Sequence, residues 1–496
     1  MHLASVLANK LALTLQMRTS TVLLFLFIAA CSVPQRSDPA AKADSTPNAP
    51  YKKLELKFEK PIVGAEVHVS ATGLPADKVV ELQWGTVTGG WVVSDYYHFN
   101  GKKYSETTSP LGKFNTDSSG DLHARFVIPE DYGGVHEVTA FIDGKPLAQN
   151  GIEVTQSFEM SPTSGPIGTP IELRVKGLGW RTMESTWVVN WDNHAVGFVS
   201  AAGTKGSAVA RFRSAGPAGD HPVKIYSGYQ AQSYLNYEQA PNAYLPRPEF
   251  KFRTTPGRSA APTAYIEPYA EQPVPKTEVQ IANAKLGLSP TQGPVGTRAV
   301  LRGEGFGGIG RLQLVWQTFE GSRVSGNGFE SRENVIGEVK LGSKGEIEFP
   351  VTIPEDLGGL HGLALRDGDK TVALAHFVIE TSIVSMSPAS GPVGTPITIH
   401  LKGVGWTEYD NILVATYDNA YMGYVCGFNS HGDVVINFSA SGAPGDHLID
   451  LFPGIYQGPA TESQLLYRQP QLTYADDHPG NKIPALHFKF EVTGGH

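Results

Sequence analysis

Four histidines recur at one place in a repeated pattern: His136 follows Pro129-Glu-Asp-Tyr-Gly-Gly, His361 follows Pro354-Glu-Asp-Leu-Gly-Gly, and His221 and His447 each close a Gly-Asp-His run. Imidazole at a fixed position invites general acid–base chemistry. Fourfold repetition among different neighbours instead points to a ring that ties a corner to a backbone carbonyl. Asp117-Ser-Ser-Gly-Asp121, Asp367-Gly-Asp369 and Asp476-Asp-His478 are acidic enough for calcium. None has the full ligand spacing of a calcium loop, and hairpin turns rich in Asp and Gly have the same composition. There is no His-Glu-x-x-His, no Gly-x-Ser-x-Gly, no phosphate loop and no cysteine cluster. No catalytic residue, metal site or cofactor is expected. A glycosidase needs only two carboxylates, so a carbohydrate-active enzyme stands as the least favoured reading.

The chemistry the sequence does support is covalent lipidation at Cys31. Residues 1–30 carry only Lys10 and Arg18 as charges, and the apolar run Val22–Ala30 is nine residues, too short for a bilayer that needs about 20. Met17 is an alternative start that yields the same mature chain. The run ends Ile28-Ala29-Ala30-Cys31, which resembles a bacterial lipobox. The resemblance implies diacylglycerol on Cys31 and cleavage before it. Ser32 lacks the acidic character that, by resemblance to bacterial sorting rules, retains a lipoprotein at the inner membrane, so an outer-membrane lipoprotein is expected, at the cell surface or the periplasmic face. Residues 31–50 have almost nothing to bury and read as a flexible tether. With Cys31 lipidated, Cys426 has no intramolecular partner, and a buried inert thiol is expected there.

The 40 basic side chains less Lys10 and Arg18 leave 38 against 48 acidic ones, a net charge of −10 without a basic block. Nothing supplies the footprint that phosphate backbones require, so no nucleic-acid partner is expected. With 55 Gly, 35 Pro and 41% hydrophobic residues among 496, the chain reads as all-β with several cores.

Internal repetition sets the architecture. Met160-Ser-Pro-Thr-Ser-Gly-Pro-Ile-Gly-Thr-Pro-Ile171 recurs as Met386-Ser-Pro-Ala-Ser-Gly-Pro-Val-Gly-Thr-Pro-Ile397 and more loosely as Leu288-Ser-Pro-Thr-Gln-Gly-Pro-Val-Gly-Thr297. A degenerate copy, Pro61-Ile-Val-Gly64, opens the folded region. The interval from Pro129 to Pro354 in one later motif matches, to within one position, that from His221 to His447 in the other, so units of two kinds alternate as A, B, A, B. Runs such as Ile171–Val175 alternate with period two, and about seven short strands per roughly 100 residues fit an immunoglobulin-like sandwich. The expected boundaries are 51–156 and 157–255 for the first A and B units, 256–282 for a Pro/Ala-rich linker that lets the halves move, and 283–381 and 382–496 for the second A and B units.

The Ser-Pro-x-x-Gly-Pro-x-Gly-Thr opening, the following Gly177-Leu-Gly-Trp180 or its counterparts, and the late Gly-x-His resemble the IPT/TIG-like immunoglobulin-fold modules of bacterial surface proteins. The likeness spans nearly the whole chain after the tether and is weakest in the first unit. It implies a fold and an extracellular binding, adhesion or spacing role, with no family-wide catalytic residues.

Departures from the repeat are the candidate binding elements, because loops on a rigid sandwich carry binding. The stretch between Trp84 and Pro129 in the first A unit is longer than its counterpart between Trp316 and Pro354 in the second, and its surplus holds Trp91, Tyr96 and Tyr97. These aromatics either form a ligand platform or cover a sheet edge. The B units carry insertions with Tyr229, Tyr234 and Tyr237, and with Tyr456 and Tyr467. They either offer faces to sugar or protein, or pack on their own domain or its neighbour. The expected function is non-catalytic: a lipid-anchored envelope protein binding a polysaccharide or a protein partner, or alternatively a structural or assembly component.

Overall fold

The computed structural model describes residues 51–496 except 95–97, 230, 241, 260, 273, 308–309, 323–327, 406, 408–411, 428–429, 456–467, 481–482 and 495–496. Its elements are strands, with no α-helix among the described residues. Among the described residues eight sheets pair off, and the four largest hydrophobic clusters each lie between a three-stranded sheet and one of five or six strands. The chain therefore is an all-β assembly of immunoglobulin-like sandwiches. Alternation forms the strands: in Pro170–Lys176 and Pro396–Lys402 every second side chain is buried, as a half-covered strand requires.

The repeated opening switches the chain between the two sheets. Ser157–Ser161 pairs antiparallel in the small sheet, whereas Ser164–Pro166, three residues on, pairs parallel with Arg253–Thr255 in the large one. Gln292–Pro294 and Ser390–Gly391 make the same parallel pairing with 378–380 and 491–492. Proline is tolerated there because the strand is at an edge. The turn that follows is closed by a threonine hydroxyl donating to the proline carbonyl: Thr169 to Pro166, Thr297 to Pro294 and Thr395 to Pro392, at 2.6, 2.6 and 2.7 Å.

The Pro-Glu-Asp-x-Gly-Gly motif joins each A unit to the B unit after it. Its aspartate receives the buried tryptophan N–H, Asp131 from Trp84 at 2.9 Å and Asp356 from Trp316 at 2.7 Å. The first glycine donates across the boundary, Gly133 to Leu178 O and Gly358 to Val404 O. A Cβ would lie 1.9 Å from Gly177 O at Gly133 and 2.1 Å from Gly403 O at Gly358, so only glycine permits this approach.

All four repeated histidines bond a carbonyl four residues back. Nε2 of His136, His221, His361 and His447 lies 2.8, 2.9, 2.7 and 2.7 Å from the carbonyls of Tyr132, Pro217, Leu357 and Ala443. Each ring stacks on Trp84, Trp191, Trp316 or Tyr417. In the A units Nδ1 faces a second carbonyl, and burial holds His361 below the usual histidine range. In the B units it faces a carboxylate, Asp192 or Asp418, and the hydrogen bond that Nδ1 donates to Asp418 raises His447 above that range.

A raised folded pKa gives stability that is fully present below the unfolded value of 6.5 and is lost as pH rises through the folded value. Asp418→Asn should therefore flatten the decline in unfolding free energy above pH 6.5. Urea titrations of both proteins from pH 5.5 to 9 check this, and identical slopes would refute it.

Two expectations differ from the structure. The 256–282 segment is no free joint: Ala264–Ile266 adds an antiparallel strand to the second B unit opposite Leu486–Phe488, and the Tyr269 hydroxyl accepts from Thr381 N at 2.7 Å. The two B units also pack directly, as Phe452, Leu472, Tyr474 and Ala485 enter the core of the first B unit. The second B insertion continues through 470–472 as a parallel neighbour of the edge strand His194–Val199, with Phe198 N donating to Pro470 O and Leu472 N to Phe198 O, both at 2.8 Å. Cys426 is half-buried at the end of Ala420–Cys426 rather than sealed in a core.

Candidate functional site

The surplus residues of the first A unit form a long hairpin, Val79–Ser94 with His98–Asn115, that reaches beyond its own sandwich. Near its tip Phe99, 1% exposed, packs with Val188, Phe198 and Ala231 of the first B unit and Ile455 of the second, and half-buried Trp91 lies against this cluster. Trp91 Nε1 donates to Asp477 O at 3.0 Å. Asp477 in turn accepts from Ala202 N at 2.8 Å and Gly203 N at 2.6 Å. Burial pushes its carboxyl above the usual range, against those hydrogen bonds. Tyr132 closes the same corner by donating to Ala202 O at 2.7 Å. Elements that break the repeat, from units far apart in the chain, thus converge on one face of the first B unit.

Lys102 sits opposite Trp91 in the hairpin register, with Nζ 2.7 Å from Ser185 Oγ and 5.4 Å from the indole centroid. Desolvation lowers its pKa to about 8, with the charge of Asp477 opposing. Beside this cluster runs an open groove of about 510 Å³ floored by Gly89, Gly90 and Gly203 and walled by Trp91, Lys103 and His478, with Thr88 and Ser105 among its lining. An aromatic wall with a few polar groups over bare backbone suits a small polar ligand.

The predicted residues do not form one cluster. Trp91 lines the junction groove. Tyr237 is buried on its own domain, where its hydroxyl donates to Ser227 Oγ at 2.9 Å and Arg247 lies 4.6 Å over its ring. With Tyr226 and Leu235 it lines a separate hollow of about 340 Å³. Tyr234 packs edge-on against Tyr237, and Tyr229 is 51% exposed. Tyr96, Tyr97, Tyr456 and Tyr467 lie outside the described residues, as does Cys31. Reading the sequence missed Lys102, Lys103 and His478. The Gly101-Lys-Lys-Tyr104 and Asp476-Asp-His478 runs were visible, but nothing local shows that they meet.

The acidic clusters have structural work. Asp117 Oδ1 accepts from Ser119 N and Asp121 N at 2.9 and 2.8 Å, and the bond from Asp121 leads in holding its pKa down. Asp476 accepts from Val209 N at 2.7 Å. Among the described residues, no group of three or more His, Cys, Asp or Glu is placed to hold a metal ion.

No family model matches the chain, and no curated protein matches it. Among solved structures, it is similar to the Escherichia coli adhesin FdeC at 13% identity, over 67% of this chain and 98% of that one, with a TM-score of 0.15. The ICAM-5 D1–D4 ectodomain fragment matches at 12% identity over 82% and 96% of the two chains, with a TM-score of 0.17. The N-terminal eight Ig domains of DSCAM match at 11% identity over 90% and 48%, with a TM-score of 0.15.

Proposed function

We propose that this is a non-catalytic envelope protein, lipid-anchored through Cys31 at the outer membrane, whose Ig-like units hold the junction groove toward a polysaccharide ligand. The observation that carries the reading is convergence: the extended first hairpin and the second B insertion, both departures from the repeat, meet over an open groove walled by Trp91, Lys103 and His478. The repeated Ser-Pro-x-x-Gly-Pro opening supports the IPT/TIG-like character of the units. A protein partner at the same groove is the nearest variant of this reading.

The runner-up, a structural or assembly component, is favoured by the seating of the second B insertion in the core of the first B unit, which fixes distance between the halves. Ser105→Trp separates the two. Ser105 is exposed on the hairpin, so the bulky ring fills the groove without entering a core. Ligand retention should fall by about tenfold or more in a cell-polysaccharide pull-down, with the melting temperature unchanged. Unchanged retention would favour the structural role. Protease treatment of intact and permeabilised cells checks which side of the outer membrane the units face.

A further inference from the structure

Resting on the reading of the junction groove as a ligand site, we propose that it selects a saccharide bearing a carboxylate, a uronic acid unit of an acidic polysaccharide. Acidic side chains outnumber basic ones 48 to 40 in the chain, yet none is among the described lining residues of this groove. The carboxylate of Asp477, next to His478 in sequence, is buried and occupied by the amides of Ala202 and Gly203.

The groups that do line the groove suit an anionic sugar. Across the hairpin Thr88 pairs with Ser105 and Gly90 with Lys103, so two hydroxyls and one ammonium share a face. Lys103 is exposed there and is a donor for a carboxylate. Gly89, Gly90 and Gly203 leave the floor without side chains, so a ring can lie on backbone beside Trp91. Trp91 borders a space that takes a pyranose, the hydroxyls fit its hydroxyls, and the ammonium fits its carboxylate.

The test measures binding of the full chain to polygalacturonate, dextran and dextran sulfate at low and moderate salt, with Lys103→Gln and Trp91→Phe as variants. Polygalacturonate should bind at least about tenfold more tightly than dextran, with dextran sulfate weaker than polygalacturonate, and Lys103→Gln should remove about that factor while leaving dextran unchanged. Equal binding of dextran and polygalacturonate, weakened by Trp91→Phe, would overturn the charge selection and leave the saccharide groove standing. Equal binding of dextran sulfate and polygalacturonate would overturn the carboxylate in favour of general polyanion capture. No binding of any polymer, with the variants identical to the parent, would overturn the groove as a saccharide site altogether.

Discussion

Asp450→Ala should lower the unfolding free energy by about 3–5 kcal/mol, the cost of leaving buried charge without its partner. Its side chain is 1% exposed and lies between two cations from different units: the Arg213 guanidinium of the first B unit and His487, whose Nδ1 is 2.6 Å away. Glu267, from the segment between the halves, accepts from His487 Nε2 at 3.1 Å and from the Tyr474 hydroxyl at 2.5 Å. Tyr265 stacks on the His487 ring at 4.7 Å. Burial works against every charge here. Even so, Arg213 and His487 hold Asp450 below the carboxylate range, and Asp450 and Glu267 hold His487 above the histidine range. Bonds from His487 and Tyr474 bring Glu267 down as well.

The two signs define a window. The carboxylates contribute stability present above 3.8 and 4.5, their unfolded values, and lost as pH falls through the lower folded ones. His487 contributes stability present below 6.5 and lost as pH rises through its elevated value. The contact between the B units should therefore be firmest between about pH 4.5 and 6.5. Denaturant unfolding of the parent and Asp450→Ala across pH 4 to 9 tests this. A loss well short of that expected, under about 1 kcal/mol, or one that does not vary with pH, would sink the account. Replacing Arg213, Asp450 and His487 together by apolar residues should cost less than Asp450→Ala, because neither buried cation is then left without its counter-charge and Glu267, itself part-exposed, keeps the Tyr474 hydroxyl.

Leu472→Ala should destabilise by about 2–5 kcal/mol, and the loss should appear in the first B unit rather than the second. Leu472 is fully buried, yet the core it joins is that of Trp191, Phe212 and Val196, in a sandwich formed far earlier in the chain. Its amide and carbonyl bridge the two sheets of that sandwich, with Leu472 N donating to Phe198 O and Arg211 N to Leu472 O. Hydrogen exchange should quicken at Trp187–Val199 and Ala208–Arg213. Loss of protection confined to Val434–Pro453 would show that the segment belongs energetically to its own unit. By the same argument residues 51–255 expressed alone should be less stable than in the full chain, since the open side of the first B sandwich lacks its cover.

Much of this was legible in order along the chain. Period-two alternation, the Ser-Pro-x-x-Gly-Pro turns and the repeated Trp, His and Gly-Gly positions specify sandwiches of two alternating kinds, because each acts through neighbours a few residues away or through a face fixed by strand geometry. The histidines read as corner ties for that reason, and Nε2 bonds the carbonyl four residues back in every unit. The candidate site was half legible. Trp91 stood out because its segment broke the repeat, while Tyr237 broke it equally and turned inward to satisfy the buried amide and hydroxyl of Ser227.

What the sequence by itself determined is thus the strand pattern, the repeat and the residues that close each turn. The tertiary structure decided that the Pro/Ala-rich segment is held down, through Tyr265 and Ile266 pairing with 486–487, and that one B unit completes another. It also decided that Lys103, Trp91 and His478 share a groove. The physical reason is range: a turn or an alternating strand is selected by local backbone and burial preferences, whereas a contact between segments far apart in the chain depends on which apolar edges remain uncovered once every local unit has formed.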